Sequence, residues 1–238
     1  MKITVINGNT HHGSTWHCMD LFRQEISKYD EVQIKEIVLP KDIPDPCVGC
    51  FTCFYKGEQA CPHSEKISTV VAAMEEADLI IMTSPVYAMD VTGGLKILLD
   101  HLSFMWLSHR PNPAIFHKVG LTIVTTAGAG LSHTTKTMKN SMNFWGFKKV
   151  YSFKKVVAAM KWEDVTEKNK LKIQKRVAKQ AKNIYLTVHR IDKMRHPIFK
   201  RIFFNIMSGM QKTNTWNPYD RSHWETQGWL SGSKPYKK

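Results

Sequence analysis

Five short apolar runs, each followed by a stretch with helical periodicity, constrain what this chain can fold into more than any other feature. Residues 3–6 form the first run and stop at Asn7-Gly8. Residues 14–29 then read as a helix, because Cys18, Phe22 and Ile26 recur on one face and Ser14 or Thr15 can cap it. Val32, Ile34, Ile37 and Leu39 mark a second strand ended by Pro40, and Pro40, Pro44 and Pro46 stiffen the lead-in to a cysteine-rich loop. A helix over 64–77, a strand over 79–82, a helix over 95–107 and a strand over 119–125 follow. A helix over 131–144, a strand within 150–160 and a long amphipathic helix over 163–190 complete the pattern. Strands alternating with helices give a parallel sheet with right-handed crossovers. Five such units fit the doubly wound sheet of order 2-1-3-4-5. The expected fold is α/β, a three-layer sandwich over residues 1–190, with a C-terminal helical or irregular extension, 191–238, that closes no further unit.

No apolar run approaches the ~20 residues a spanning helix needs. The N-terminus shows no basic region followed by an apolar stretch, so a cytoplasmic location is the expectation. Charge is divided unevenly: 10 Lys+Arg against 14 Asp+Glu before Leu131, then 24 against 6. Such asymmetry suggests an anionic partner, whether a membrane surface, nucleic acid or an acidic redox protein, or else a well-solvated basic face. Nucleic acid has basic charge as its only warrant.

In open α/β sheets ligands sit beyond the carboxyl ends of the strands. Three such ends carry unusual residues here. The first is Asn7-Gly8-Asn9-Thr10-His11-His12-Gly13-Ser14-Thr15, which opens a helix. Free N–H groups and the helix dipole make that spot a phosphate site, and the Ser14 and Thr15 hydroxyls add donors. It lacks the lysine of a P-loop and the full glycine pattern of a dinucleotide fold. The second is Ser84-Pro85-Val86-Tyr87-Ala88-Met89-Asp90, followed by Gly93-Gly94-Leu95-Lys96, and the third is Thr125-Thr126-Ala127-Gly128-Ala129-Gly130. Pro85 stiffens one loop, and the small residues of the other let backbone approach a flat ring. His11, His12, His101, His109, His117 and His133 are scattered, with no spacing that marks a zinc or nucleophile site.

The loop from Gly8 to Thr15 resembles the FMN-phosphate loop of the NADPH-dependent FMN reductase family, a branch of the flavodoxin-like fold. Ser84-Pro85-Val86-Tyr87 with Gly94-Leu95-Lys96 and Asp100 resembles that family's second flavin loop and the helix behind it, and this is the more specific match. Ala127-Gly128-Ala129-Gly130 resembles the third loop, at the edge of the flavin. The resemblance implies that Asn9, His11, Gly13, Ser14 and Thr15 hold the phosphate of FMN. It implies that Ser84, Pro85, Val86 and Tyr87, with Thr126, Ala127, Gly128 and Gly130, surround the isoalloxazine. His11 stands where many relatives carry Arg or Lys, and an imidazole holds a phosphate less strongly. The resemblance further implies hydride supply from NAD(P)H, a small acceptor such as a quinone or free flavin, and a homodimer. The flavin carries the hard chemistry, so no acid–base triad is expected.

Four of five cysteines fall in one loop: Cys47, Cys50, Cys53 and Cys61, followed by Pro62. In a cytosolic chain such a cluster reads as metal or redox chemistry rather than a disulfide framework. Closely spaced C-x2-C-x2-C favours a [4Fe–4S] cluster over zinc, which more often takes two separated pairs. The motif resembles the compact cysteine motif of iron–sulfur flavoproteins, so an electron carrier with a cluster near FMN is the second expectation. Free packing or redox-sensitive thiols, zinc and a disulfide are the alternatives. Cys18, on a helix face, reads as a small core residue.

In the extension, Ile198, Phe199, Ile202, Phe203, Ile206 and Met210 recur at helical spacing, flanked by Lys200, Arg201 and Lys212. The expectation is a stripe packed on protein, on its own domain or at a dimer contact, with the basic residues toward solvent. The alternative is a helix on an anionic membrane or an acidic partner. Trp216, Tyr219, Trp224 and Trp229 suit wrapping over a protein surface, with N–H or O–H groups reaching water.

Overall fold

The computed structural model of the protein describes residues 1–236. Strands β1 (Lys2–Asn7), β2 (Gln33–Val38), β3 (Leu79–Pro85), β4 (Val119–Thr126) and β5 (Lys149–Val156) form one parallel sheet in the order β2-β1-β3-β4-β5. This is the expected doubly wound order. β1, β3 and β4 are buried almost end to end, whereas the edge strands β2 and β5 expose several residues. That difference explains the sequence signal: inner strands covered on both faces read as continuous apolar runs.

The helices are α1 (Ser14–Ile26), α2 (Thr52–Lys56), α3 (Ser64–Glu76), α4 (Gly93–His101), α5 (Leu131–Phe144), α6 (Glu167–Val188), α7 (Ile198–Lys212) and α8 (Pro218–Thr226). α1 and α6 cover one face of the sheet, packing Cys18, Phe22, Ile173 and Val177 on Val5, Ile81 and Leu121. α3, α4 and α5 cover the other, packing Val70, Leu98 and Met138 on Ile6, Ile80 and Met82. Cys18 is fully buried, and burial pushes its thiol up to about 12, so it is an unreactive core residue. No described helix is long and apolar enough to cross a membrane.

Helix α1 ends at Ile26 rather than 29, and two other helix boundaries differ from the periodic pattern for visible reasons. The helix expected over 95–107 ends at His101 and tightens into a 3₁₀ turn, Leu102–Met105. The Leu107 N–H then donates to the Phe144 carbonyl at 2.7 Å, a tertiary bond that a continued helix would forgo. The last long helix starts at Glu167 rather than 163, because the Thr166 hydroxyl caps it by accepting from the Asn169 amide.

The extension folds back onto the domain. Phe204, Met207, Trp224 and Trp229 enclose a third apolar cluster with Leu107 and Phe116. The face of α7 that is buried is not the expected stripe. It carries Lys200, Phe204, Met207, Ser208 and Gln211, while Ile198, Phe199, Ile202, Ile206 and Met210 stay exposed. The reason lies in the polar side chains, each of which finds a backbone acceptor. Lys200 donates to the Phe147 carbonyl, Ser208 to Trp229 at 3.0 Å and Gln211 to Ser108 at 2.8 Å. Lys200 therefore does not face solvent, and burial pushes its ammonium down to about 8. Trp224 is fully buried too, its indole N–H donating to the His109 carbonyl at 2.6 Å instead of to water.

His196 gives this docking a pH signature. Its Nε2 donates to the Phe116 carbonyl at 2.6 Å, and its Nδ1 is buried with no partner. Burial pushes its pKa down from 6.5 to about 4, with Lys148, Lys200 and His117 acting in the same direction against the Phe116 carbonyl. As pH falls, the unfolded chain takes up the proton first, so stability is lost between pH 6.5 and about 4. The loss amounts to at most about 3 kcal/mol before solvent screening is allowed for. Urea unfolding across that range should show the slope, and His196→Gln should flatten it.

Candidate functional site

The loop after β1 is pinned before it reaches the helix. Gly8 donates its N–H to the Thr83 carbonyl at 2.9 Å, and its own carbonyl accepts from the Thr92 hydroxyl. A Cβ at position 8 would strike the Thr83 oxygen, so only glycine lets β1 and β3 end this close together. The chain then enters α1 with Gly13 at the N-cap, and no side chain caps the helix. Ser14 and Thr15, expected as caps, lie inside the first turn. The first backbone bond runs from the His17 amide to the Gly13 carbonyl at 3.1 Å, so no described protein group accepts from the amides of Ser14, Thr15 and Trp16. An uncapped helix start with three open N–H groups and the positive end of the dipole has the chemistry that an anion needs.

Asn9, His11, Gly13, Ser14 and Thr15 all line the cleft at this helix start. Their hydroxyls are not equivalent. Ser14 is half-buried and makes no side-chain bond to the described protein, whereas the Thr15 hydroxyl is buried and paired with Thr125 Oγ1 at 2.6 Å. Thr15 thus ties the first loop to the third and offers a ligand its backbone amide rather than its hydroxyl. Asn9 Nδ2 donates to the Tyr87 hydroxyl at 3.1 Å, which joins the first loop to the second.

In the second loop Pro85, Val86 and Tyr87 line the cleft. Ser84 does not: it is fully buried, accepts from the Thr92 amide at 3.1 Å and donates to the Pro85 carbonyl at 2.7 Å. It shapes the loop from behind. Tyr87 and Asp90 exchange two backbone bonds of 2.9 Å around Ala88 and Met89, whose φ angles are +47° and +68°. Left-handed backbone at two successive non-glycine residues costs about 1 kcal/mol or more at each. Asp90 holds the turn. One carboxylate oxygen accepts from the Val91 amide and the Thr137 hydroxyl, both at 2.8 Å, and the other faces His133 Nε2 at 3.3 Å. Sequence reading gave Asp90 no role, since no glycine announces the turn it supports.

The third loop packs directly on the second. Gly130 has φ +89°, and a Cβ there would meet Val86 Cγ1 at 2.5 Å. The Thr126 hydroxyl donates to the Ala129 carbonyl at 2.9 Å and accepts from the Gly128 amide at 3.2 Å. Thr126 and Ala127 line the cleft, while Gly128 and Gly130 set the course of the loop. Val157, Ala159 and Met160, after β5, complete the wall and were missed in sequence. Their position past a strand's carboxyl end was the available signal. The cleft has a volume of about 240 Å³. A larger cavity of about 620 Å³ lies away from the strand ends, beside α3, and Glu58, Glu65 and Glu75 make it unsuited to a phosphate.

No residue of the cysteine loop lines this cleft. Cys47 and Cys50 are exposed, Cys53 and Cys61 half-buried, and all are free thiols. Thr52 hydrogen bonds hold the Cys50 thiol below its usual range. Burial pushes Cys53 up, and Cys61, Cys47 and Cys50 act in the same direction against Arg110. Among the described residues no three His, Cys, Asp or Glu side chains are placed to hold a metal ion. Cys47, Cys50, Cys53 and Cys61 are not arranged as the ligand set of a single ion, and the loop is anchored through the Cys53 carbonyl. Arg110 donates to the Cys53 carbonyl at 2.5 Å, to Glu58 at 3.1 Å and to the buried Asp220 of α8 at 2.5 Å. His109 Nδ1 meets the other Asp220 oxygen at 2.8 Å.

The chain is similar to several known proteins. An iron-sulfur flavoprotein of Archaeoglobus fulgidus is 27% identical over 148 residues, which is 61% of this chain and just under two thirds, 64%, of that protein. Another, of Clostridioides difficile, is 25% identical over 237 residues, covering 96% of this chain and 99% of that one. The solved structure of an FMN-dependent NADH-azoreductase from Bacillus anthracis in complex with FMN superposes with a TM-score of 0.57 at 12% identity. It covers 76% of this chain and 100% of that one, which shows a shared fold. The family described as NADPH-dependent FMN reductase matches residues 1–162, the segment that carries all four loops lining the cleft. The chain belongs to the NADPH-dependent FMN reductase family of flavodoxin-like oxidoreductases.

Proposed function

We propose that the protein is a cytoplasmic FMN-dependent NAD(P)H oxidoreductase that delivers electrons to a small acceptor such as a quinone or free flavin. The observation that carries this reading is the uncapped start of α1, which opens into a cleft walled by the other strand-end loops. The residues present fit FMN. The amides of Ser14, Thr15 and Trp16 and the Ser14 hydroxyl hold the phosphate, with Asn9, His11 and Gly13 around it. Pro85, Val86 and Tyr87 lie along the ring, and Thr126 and Ala127 along its edge. Bound flavin supplies the electron-transfer chemistry. The chain supplies position: the Asn9–Tyr87 and Thr15–Thr125 bonds fix three loops against one another. A shallow cleft of about 240 Å³ leaves a ligand's outer side open, so nucleotide and acceptor reach it in turn. A homodimer goes with this reading, since Tyr87 and Met89 stand about half exposed at the rim where a second copy can complete the site. Steady-state oxidation of NADH or NADPH by the FMN-loaded protein, with a quinone as acceptor, tests the reading. A flavin-loaded protein that oxidises neither nucleotide overturns it.

A second reading, an iron–sulfur flavoprotein exchanging electrons with an acidic redox protein, draws on the cysteine loop. The thiols of Cys61, Cys47 and Cys50 all act on Cys53. Cluster thiolates bind separate irons, so they need not converge as ligands of one ion do. Cys47, Cys50, Cys53 and Cys61 would hold such a cluster. On this reading protein purified without oxygen carries about four irons per chain, and Cys50→Ala loses the iron and keeps the flavin. Iron-free, flavin-loaded protein leaves the reductase reading alone.

A further inference from the structure

Helix α7 is apolar on two faces, and only one of them is used. Phe204 and Met207 seal the third cluster. On the outer side Ile198, Phe199, Ile202, Ile206 and Met210 are each more than half exposed, and Trp216 continues the patch beyond the helix. Beside this stripe runs a groove of about 450 Å³ between α5 and α7, walled by Leu107, Phe144, Phe199, Ile202, Phe203 and Ile206. A contiguous apolar patch of this kind marks an interaction surface rather than chance exposure.

The charge around the patch says what covers it. No Asp or Glu occurs from residue 131 to 162, nor from 193 to 219, so α5 and α7 carry none. The same stretches carry Lys136, Lys139, Lys149, Arg195, Arg201 and Lys212. The acids that bound the second stretch are engaged elsewhere: Asp220 is buried against Arg110, and Asp192 faces His117 at 3.4 Å. A twofold contact between two copies through this face would set two basic helices, neither carrying an acid, against their own copies. An anionic surface complements it. We propose that the outer face of α7, with the α5–α7 groove, docks on an anionic lipid bilayer, the side chains from Ile198 to Met210 entering the headgroup layer and the flanking Lys and Arg residues meeting lipid phosphate. α5 runs from the third flavin loop to the groove, and its 14 residues span about 20 Å, so the docking face stands clear of the flavin cleft.

The full chain is mixed with phosphatidylcholine vesicles, with and without phosphatidylglycerol, and the bound fraction read by flotation. Binding to the phosphatidylglycerol vesicles is expected, falling about tenfold or more in their absence or at high salt. The double variant Ile202→Glu, Ile206→Glu should lose that binding by a similar factor while its flavin content and sedimentation stay unchanged. Both side chains are already exposed, so the fold tolerates the change. The inference is overturned if the wild type ignores phosphatidylglycerol vesicles, or if the variant binds them as well as the wild type. It is also overturned if the variant dissociates an oligomer, since α7 is then a contact between copies.

Discussion

Ser14→Asp should abolish FMN binding and leave the fold intact. Ser14 is the first residue of α1, half-buried, with no side-chain partner in the described protein and its amide open to the cleft. A carboxylate at that position suits the helix dipole, worth about 0.3–1 kcal/mol in favour of the helix. Toward a phosphate it acts oppositely. Two like unit charges about 4 Å apart at an effective dielectric near 20 repel by about 4 kcal/mol, roughly a thousandfold in Kd. The expected result is a protein with wild-type thermal stability or slightly more, and no retained flavin. Flavin content equal to the wild type would remove the phosphate from α1.

Asp220→Ala should be the most destabilising single change in the extension, at about 3–5 kcal/mol in urea unfolding. Asp220 is fully buried, its oxygens accept from Arg110 and His109, and its amide is held by Asn217 Oδ1 at 3.0 Å. Truncation leaves the buried Arg110 guanidinium short of its main counter-charge, which costs far more than the pair is worth when intact. Arg110 also holds the Cys53 carbonyl, so the damage should travel to the cysteine loop. Cys53, half-buried in the wild type, should react faster with a thiol reagent. Asp220→Asn keeps the volume and one of the two acceptor oxygens, and should lose less. A loss below about 1 kcal/mol for the alanine variant would mean that this network does not anchor the extension.

The sheet order and both core faces were legible because they rest on periodicity. Continuous runs such as Leu79–Pro85 and recurring positions such as Cys18, Phe22 and Ile26 report burial directly. The strand-end loops were legible for a related reason: small and hydroxyl residues stood where a parallel sheet presents its ligand edge. What was hidden depends on partners far apart in sequence. Thr15 and Thr125 are 110 positions apart, as are Arg110 and Asp220, and no local pattern pairs them. The extension divides for the same reason. Its most hydrophobic stripe does not pack on its own domain, and Lys200, Ser208 and Gln211 go inside because backbone carbonyls of Phe147, Trp229 and Ser108 await them. The Tyr87–Asp90 turn, left-handed at Ala88 and Met89, carries none of the glycines that mark such turns.

Whether α1 receives a flavin phosphate is decided by comparing two flavins. Flavin-free protein is titrated with FMN and, separately, with riboflavin, which has the same ring and no phosphate, and flavin fluorescence is followed. FMN should saturate at one per chain and bind at least about a hundredfold more tightly than riboflavin, since charge-assisted bonds to the open amides are worth roughly 1.5–3 kcal/mol each. Equal affinity for the two, or no saturable binding of FMN, would contradict the account.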